Sequence, residues 1–555
     1  MSRFLAMLLD SATRLEHGMT TGEPAAPIRR TWPEVHARAR RMAAALRSDA
    51  DGHPGLTHGA SVGVLAGEPV AIAPAAQAVW LTGASMTMLH QPTGRTDLTT
   101  WAEDTVSVLK MINAELVLLG APFDALAPAL TERGIAFRTI DSLDIKGGEI
   151  EPDAGVAVED DTALLQLTSG STAEPKAVRI THGNLYANIT AMMVAAQLDT
   201  ARDVMVSWLP LFHDMGMVGF LTVPMATGLE LVTVTPVDFR TRPLLWAELI
   251  SRYRGTVTAA PNFAYAVLGR QLARAEEGSL DLSSLRFALN GAEPIDPDAV
   301  ATFTATGARF GLRDDSVVAA YGMAETALGV SFAPIDTGLQ VDHVDAEQLE
   351  VHRRAVPATY GPTRRFPKLG PPLPGIEVRV VGADATVLDE RRVGVLQLRG
   401  DSVTPGYLTV DGPVATQDAD GWFDTGDEGY LAEGAVVVCG RLKDMIIMGG
   451  RNIYPTDIER AAAEAEHVRA GNTVAVRLPA GAGRRRESFA VAVESRKAGD
   501  PAAEKLIRKD VTSRVVSAVG VRPAEVVVLG PGSLPKTPSG KLRRTATAEL
   551  LRSQA

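Results

Sequence analysis

Thr168, Ser169, Gly170, Ser171 and Thr172 run consecutively, and Lys176 follows four positions later in the stretch LTSGSTAEPKAVRITHGN, residues 167–184. Hydroxyls, exposed backbone N–H groups and one lysine gathered in so short a span suit a polyanion, because each donor can meet a phosphate oxygen and the lysine adds charge. The spacing is not that of the GxxxxGK[ST] phosphate loop, and no GxGxxG opens a helix after a strand here. Further along, SWLPLFHDMGMVG (207–219) places His213 and Asp214 at an expected helix start, where a histidine fits a satisfied core residue as well as a functional one. In AYGMAET (320–326) Glu325 closes an apolar run. A carboxylate at such a rim can hold Mg²⁺ on a triphosphate, although an exposed glutamate is the commoner reading of any single one.

The elements that must position these residues alternate between strand and helix. Apolar spacing predicts helices over 32–46 and 68–82 and buried strands over 61–65 and 116–120, and the polyanion loop lies between a strand over 163–167, a second strand, and a helix from Thr181. Such alternation leads to layered, parallel α/β sheet. TAAPNFAY (258–265) and FALNGAEP (287–294) are apolar strands that end in small polar residues. Ligands in open parallel sheets bind beyond such carboxyl ends. The acidic, turn-rich stretch 144–161 reads as a connector into the loop.

Composition narrows the function classes. A chain of 555 residues with 46% hydrophobic and 22% charged content is long enough for more than one core and reads as an ordinary globular protein. Its net charge of −11, from 55 basic against 66 acidic residues, argues against nucleic acid, which demands a basic stripe. The lone Cys439 lies in an apolar run and points to a core thiol in a reducing cytoplasm. The N-terminal apolar stretch is broken by Asp10 too early for a signal peptide and reads as an amphipathic helix, and no stretch reaches the roughly 18 apolar residues of a membrane span.

Three further stretches complete a pattern: WFDTGDEGYL (422–431), GRLKDMIIMGGRNIYPTDIE (440–459) and LPKTPSGKLRR (534–544). In order and spacing, the loop, the GAEP and YGMAET segments and these three resemble the adenylate-forming superfamily of acyl-CoA synthetases, peptide-synthetase adenylation domains and luciferases. The resemblance spans residues 32–544. Where that family usually has Gly, this chain has Ala173, which implies an ordinary negative φ there.

The resemblance implies ATP and Mg²⁺. Thr168, Ser169, Gly170, Ser171, Thr172 and Lys176 would take the phosphates, and Glu325 the metal. Gly291, Ala292 and Glu293 would meet the adenine edge, with Tyr321, Gly322, Met323 and Ala324 stacking on and framing the ring. Asp427 and Arg441 would take the ribose, Lys443 and Asp444 would form a hinge, and Lys541 would be the adenylation lysine. A proline at Asp444 is expected to slow one half-reaction more than the other. His213, which would also be catalytic alongside Lys541 and Glu325, would meet the acyl substrate with Asp214, Met215, Gly216 and Phe263. Met217, Val218, Phe220, Leu221 and Val223 either line an apolar tunnel or form core.

The runs PLFHDMG, APNFAY and YGMAETALGV are most similar to fatty acyl-AMP ligases, which hand acyl-adenylates to acyl carrier proteins. Gly370 stands 49 positions after Tyr321, and the polar, structurally vague segment 336–358 between them resembles the insertion that in this branch packs on the C-terminal domain and hinders CoA transfer. The expected fold is a large N-terminal domain of layered α/β sheets, residues 1–440, with a small mobile α+β lid, 441–555. The expected activity is ATP-dependent activation of a fatty acid for an acyl carrier protein. A fatty acyl-CoA ligase, with CoA as acceptor, and a non-catalytic nucleotide-binding homologue of the same fold are the alternatives.

Overall fold

Helix Trp32–Arg47 begins with a capping box. Thr31 Oγ1 accepts from the Glu34 N–H while the Glu34 carboxylate accepts from the Thr31 N–H, so two otherwise orphaned donors are satisfied. Helix Pro69–Leu81 starts with proline in its first turn and is buried on every side, as an apolar sequence without a polar stripe requires. In the computed structural model the described residues are 1–13, 16–49, 54–92, 96–144, 157–168, 175–448, 451–478, 487–536 and 542–554.

The chain forms two compact units. The first comprises Met1–Leu339, Gly370–Glu377 and Leu398–Phe423, and it holds two eight-stranded sheets. In one, the strands Val317–Gly322, Phe287–Asn290, Val257–Ala260, Val204–Ser207, Glu230–Thr233 and Gly18–Thr21 lie parallel in that order. Antiparallel Gly329–Phe332 and Ile28–Thr31 close its edges. In the other, Phe137–Thr139, Ala114–Leu119, Ser61–Leu65, Ser85–Met88 and Thr162–Thr168 are parallel. Lys176–Thr181, Gly406–Thr409 and Gly412–Ala415 then extend it antiparallel.

Helices bridge the two sheets. Trp80 on helix Pro69–Leu81 donates its indole N–H to the Ala163 carbonyl of the second sheet. Asn188 on helix His182–Ala195 exchanges two hydrogen bonds with Gly329 of the first. The expected layered α/β architecture is what forms.

The second unit comprises Gln340–Leu369, Val378–Gln397 and Asp424–Ala555. Its strands Val468–Leu478, Ser488–Ser495 and Glu525–Leu529 form one sheet. Phe489, Val491, Ile507, Val511 and Val515 pack with Ile446 and Ile458 in a core under helices Pro455–Ala463 and Pro501–Val519. Gly440 lies inside this unit, in strand Ala435–Arg441, so the expected division at 440 does not coincide with the two units. The segment read as structurally vague is ordered instead: strand Val341–Asp345 pairs with Thr363–Pro367, and helix Ala346–Glu350 follows it. Its polar sequence hid this because its few core residues, Val344, Leu349 and Ala355, find their apolar partners Phe366, Val393 and Tyr430 only beyond the segment. Cys439 is buried in strand Ala435–Arg441, and burial pushes its thiol pKa well up, as a core thiol requires. Among the described residues no helix is long and apolar enough to cross a membrane.

Candidate functional site

Four neighbouring parallel strands of the first sheet end at one rim, and each is followed by one of the segments singled out above. Val204–Ser207 leads to Trp208 and His213, Val257–Ala260 to Phe263, Phe287–Asn290 to Gly291, and Val317–Gly322 to Glu325. The Phe263 N–H donates to Glu293 Oε1 at 2.6 Å, and Phe263 also meets the edge of Trp208. Ala292 has φ 64°, in the left-handed region that a non-glycine residue enters at a cost of roughly 1 kcal/mol or more. At Gly322 a Cβ would come within 2.4 Å of the Leu328 carbonyl oxygen, so only glycine lets the chain turn towards Glu325.

His213 and Asp214 cap the next element. Asp214 Oδ1 lies 2.5 Å from His213 Nδ1 and accepts the Met215 N–H at 2.7 Å. The helix that starts there, Met215–Thr222, is wound as a π-helix, a rare form concentrated at functional sites. Met217, Val218 and Leu221 are fully buried within it, whereas Phe263 is half-buried. Gly216 packs so closely that an added Cβ would lie 2.2 Å from the Pro210 carbonyl oxygen. The nearby His90 lies edge-on to Phe212, and burial, reinforced by His213, lowers its pKa to about 4.

The second sheet carries the two strands that flank the stretch expected to take a polyanion. Thr168 and Lys176 face each other across the antiparallel pair that flanks the hydroxyl-rich loop. Thr168 Oγ1 is buried with no hydrogen-bond partner among the described residues, which costs about 1–3 kcal/mol unless a ligand oxygen satisfies it. Ser169, Gly170, Ser171, Thr172, Ala173 and Lys541 lie outside the described residues. Gln166 Nε2 donates to the Phe212 carbonyl at 3.0 Å and so ties this strand to the His213 segment.

Lys176 Nζ sits 3.8 Å from the ring centroid of Tyr407, and the Tyr407 hydroxyl donates to Glu325 Oε1 at 2.6 Å. Sequence reasoning missed Tyr407. Nothing in GYLT marks a site, and only the pairing of Tyr407 with Val178 reveals that its strand lies beside Lys176. Glu325 suits Mg²⁺, which takes one or two carboxylates and completes its shell with substrate phosphates. Among the described residues no cluster of three His, Cys, Asp or Glu forms a cage of its own.

The remaining candidates belong to the second unit. Asp427 is buried and pairs across the strands with Arg441, whose Nε lies 3.0 Å from Asp427 Oδ1. The Asp427 N–H donates to Thr425 Oγ1 at 3.0 Å. Lys443 and Asp444 fall in the 3₁₀ turn Leu442–Asp444 directly after Arg441. Arg544 reaches Asp444 at 3.4 Å and Glu459 at 2.7 Å, anchoring the turn to the C-terminal helix.

Residues 19–408 match the family described as AMP-binding enzyme. A Mycobacterium tuberculosis protein named as a ligase is 56% identical over 554 residues, covering 99% of this chain and 100% of its own. A Mycobacterium leprae protein named as fatty-acid–CoA ligase FadD21 is 32% identical over 436 residues, 73% of each chain. A structure from a study of fatty acyl-adenylate ligases of E. coli and L. pneumophila superposes with a TM-score of 0.88 at 30% identity, covering 100% of this chain and 98% of that one. The chain belongs to the AMP-binding enzyme family and is an ATP-dependent adenylate-forming ligase.

Proposed function

We propose that this ligase activates a fatty acid as its acyl-adenylate and passes the acyl group to the thiol of an acyl carrier protein in the cytoplasm, making little acyl-CoA. The substrate reading draws on the likeness to fatty acyl-adenylate ligases and to the protein named fatty-acid–CoA ligase FadD21. The acceptor reading rests on one observation, the anchoring of residues 340–369 within the second unit. Glu350, 1% exposed, pairs with Arg364 and accepts from Arg451 Nε at 2.8 Å. Arg364 and Arg451 also donate to the Ala518 and Val519 carbonyls at the end of helix Pro501–Val519, where cations offset the helix dipole. A segment so tied to C-terminal elements supports the resemblance to the branch whose insertion opposes CoA transfer.

In the chemical step a carboxylate oxygen of the fatty acid bonds to the α-phosphorus of ATP, and the bond from that phosphorus to pyrophosphate breaks. Two unit charges 4 Å apart at an effective dielectric near 20 repel by about 4 kcal/mol, so opposite charge must be supplied. Lys176, the loop donors and Lys541 would supply it, with Thr168 offering a buried hydroxyl already stripped of water. Mg²⁺ held at Glu325 would neutralise further charge on the phosphates. Asp427 and Arg441 would grip the ribose.

The FadD21 relative's name favours a second reading, transfer to CoA. Mass analysis of the products from ATP, Mg²⁺ and fatty acid, alone, with CoA and with carrier protein, separates the two. Adenylate alone and acyl-carrier with the third mixture are expected, whereas rapid CoA thioester defeats the proposal. ATP–pyrophosphate exchange lost in Lys541→Ala confirms the lysine's part.

A further inference from the structure

We propose that Tyr407 is a positioning residue that holds the phosphate-facing lysine and the metal-facing carboxylate in one register; this rests on reading Glu325 as the Mg²⁺ ligand. The strand Gly406–Thr409 pairs antiparallel with Lys176–Thr181, setting Tyr407 opposite Val178 and Thr409 opposite Lys176. From that place the Tyr407 ring lies under Lys176 Nζ at 3.8 Å while its hydroxyl donates to Glu325 Oε1 at 2.6 Å. The same stretch clamps both neighbours by their backbones. The Thr404 N–H donates to the Glu325 carbonyl at 2.7 Å, and Thr404 Oγ1 donates to the Arg179 carbonyl at 2.5 Å.

Each half of the tyrosine suits its task. An aromatic face attracts an ammonium through its quadrupole rather than through any one N–H, so it orients the lysine without dictating where a given N–H points. A hydroxyl on one carboxylate oxygen fixes the glutamate's rotamer and leaves the other oxygen for a cation, the orienting role that outer-shell partners play at metal sites. Phenylalanine would keep the ring and lose the hydroxyl; leucine would lose both.

The test is calorimetric binding of a non-hydrolysable ATP analogue to the full-length chain, with and without Mg²⁺. Tyr407→Phe is expected to weaken binding in Mg²⁺ by about 10- to 100-fold and to leave metal-free binding unchanged. Tyr407→Leu weakens both, and pyrophosphate exchange follows through the KM for Mg²⁺·ATP. Glu325→Gln, run alongside, should lose the gain that Mg²⁺ brings. If Glu325→Gln loses that gain and Tyr407→Phe keeps it, the positioning role is overturned and the metal reading stands. If Glu325→Gln retains the full gain, the metal reading falls and takes the proposal with it. Equal weakening of Tyr407→Phe with and without Mg²⁺ makes the tyrosine merely structural and also overturns it.

Discussion

Asp427 combines burial with a half-exposed partner, and this separates its proposed part in ribose binding from its part in folding. Arg441 is 52% exposed on its side chain, so their ion pair is screened by water and contributes no more than about 1 kcal/mol to stability. Hydrogen bonds from hydroxyls to a charged acceptor are worth about 1.5–3 kcal/mol each, a factor of roughly ten or more. Asp427→Ala should therefore raise the KM for ATP at least tenfold in pyrophosphate exchange while its melting temperature stays near the wild type. A large loss of stability with little change in KM would show that the residue serves the fold. His182 illustrates the opposite case. It is fully buried beside Ser2, whose hydroxyl lies 3.0 Å from its Nδ1, and burial lowers its pKa to about 4. The unfolded chain binds this proton from pH 6.5 down and the folded chain only near 4, so stability is complete above 6.5 and falls as pH drops through that window. Between pH 7 and pH 5 the loss is about 2 kcal/mol, read as a fall in melting temperature that His182→Gln should reduce.

At the scale of elements, the π-helix Met215–Thr222 is set by its glycine. A Cβ at Gly216 would lie 2.2 Å from the Pro210 carbonyl oxygen, a backbone atom that cannot move aside as a flexible side chain would. Gly216→Ala should cost about 1–3 kcal/mol and loosen the His213–Asp214 cap, so a lower melting temperature and weaker fatty-acid binding by calorimetry are expected together. The apolar run 215–223 announced a helix but not its winding, because in a run apolar at nearly every position no hydrophobic period separates a π-helix from an α-helix. Elements with strong periodicity were legible: strand Ser61–Leu65 falls where the apolar run puts it, and helix Trp32–Arg47 ends one residue beyond expectation. Tyr407 was not legible. Its meaning depends on a strand pairing between residues more than two hundred positions apart, and no local pattern carries that. The ordered segment after Gln340 was missed for a related reason, since Glu350, Arg364 and Arg451 look like solvated charges until they meet.

For the molecule as a whole, the question is how one ATP-binding framework chooses between acceptors, and on the proposed reading the cluster at Glu350 of the second unit bears on the answer. Breaking a buried pair by removing one partner typically costs about 3–5 kcal/mol, because the other charge is left uncompensated. Arg364 retains Asp457, whose carboxylate lies 3.1 Å from its Nε, so Glu350→Ala should loosen segment 340–369 without unfolding the unit. Glu350, Arg364 and Arg451 are not among the residues proposed to hold ATP, neither Thr168, Lys176 and Glu325 of the first unit nor Asp427, Arg441 and Lys541 of the second, so adenylate formation should change by no more than a few-fold. Acyl-CoA formation from the same variant should rise well above the wild type if the anchored segment is what opposes CoA. Glu350→Gln keeps the side chain's size and hydrogen-bonding oxygen while removing its charge, and gives the same comparison at a smaller cost to the fold. Product analysis of both variants with CoA and with carrier protein decides the matter. Acyl-CoA left at wild-type levels, with segment 340–369 shown by hydrogen exchange to be released, would mean that acceptor choice is made elsewhere in the chain.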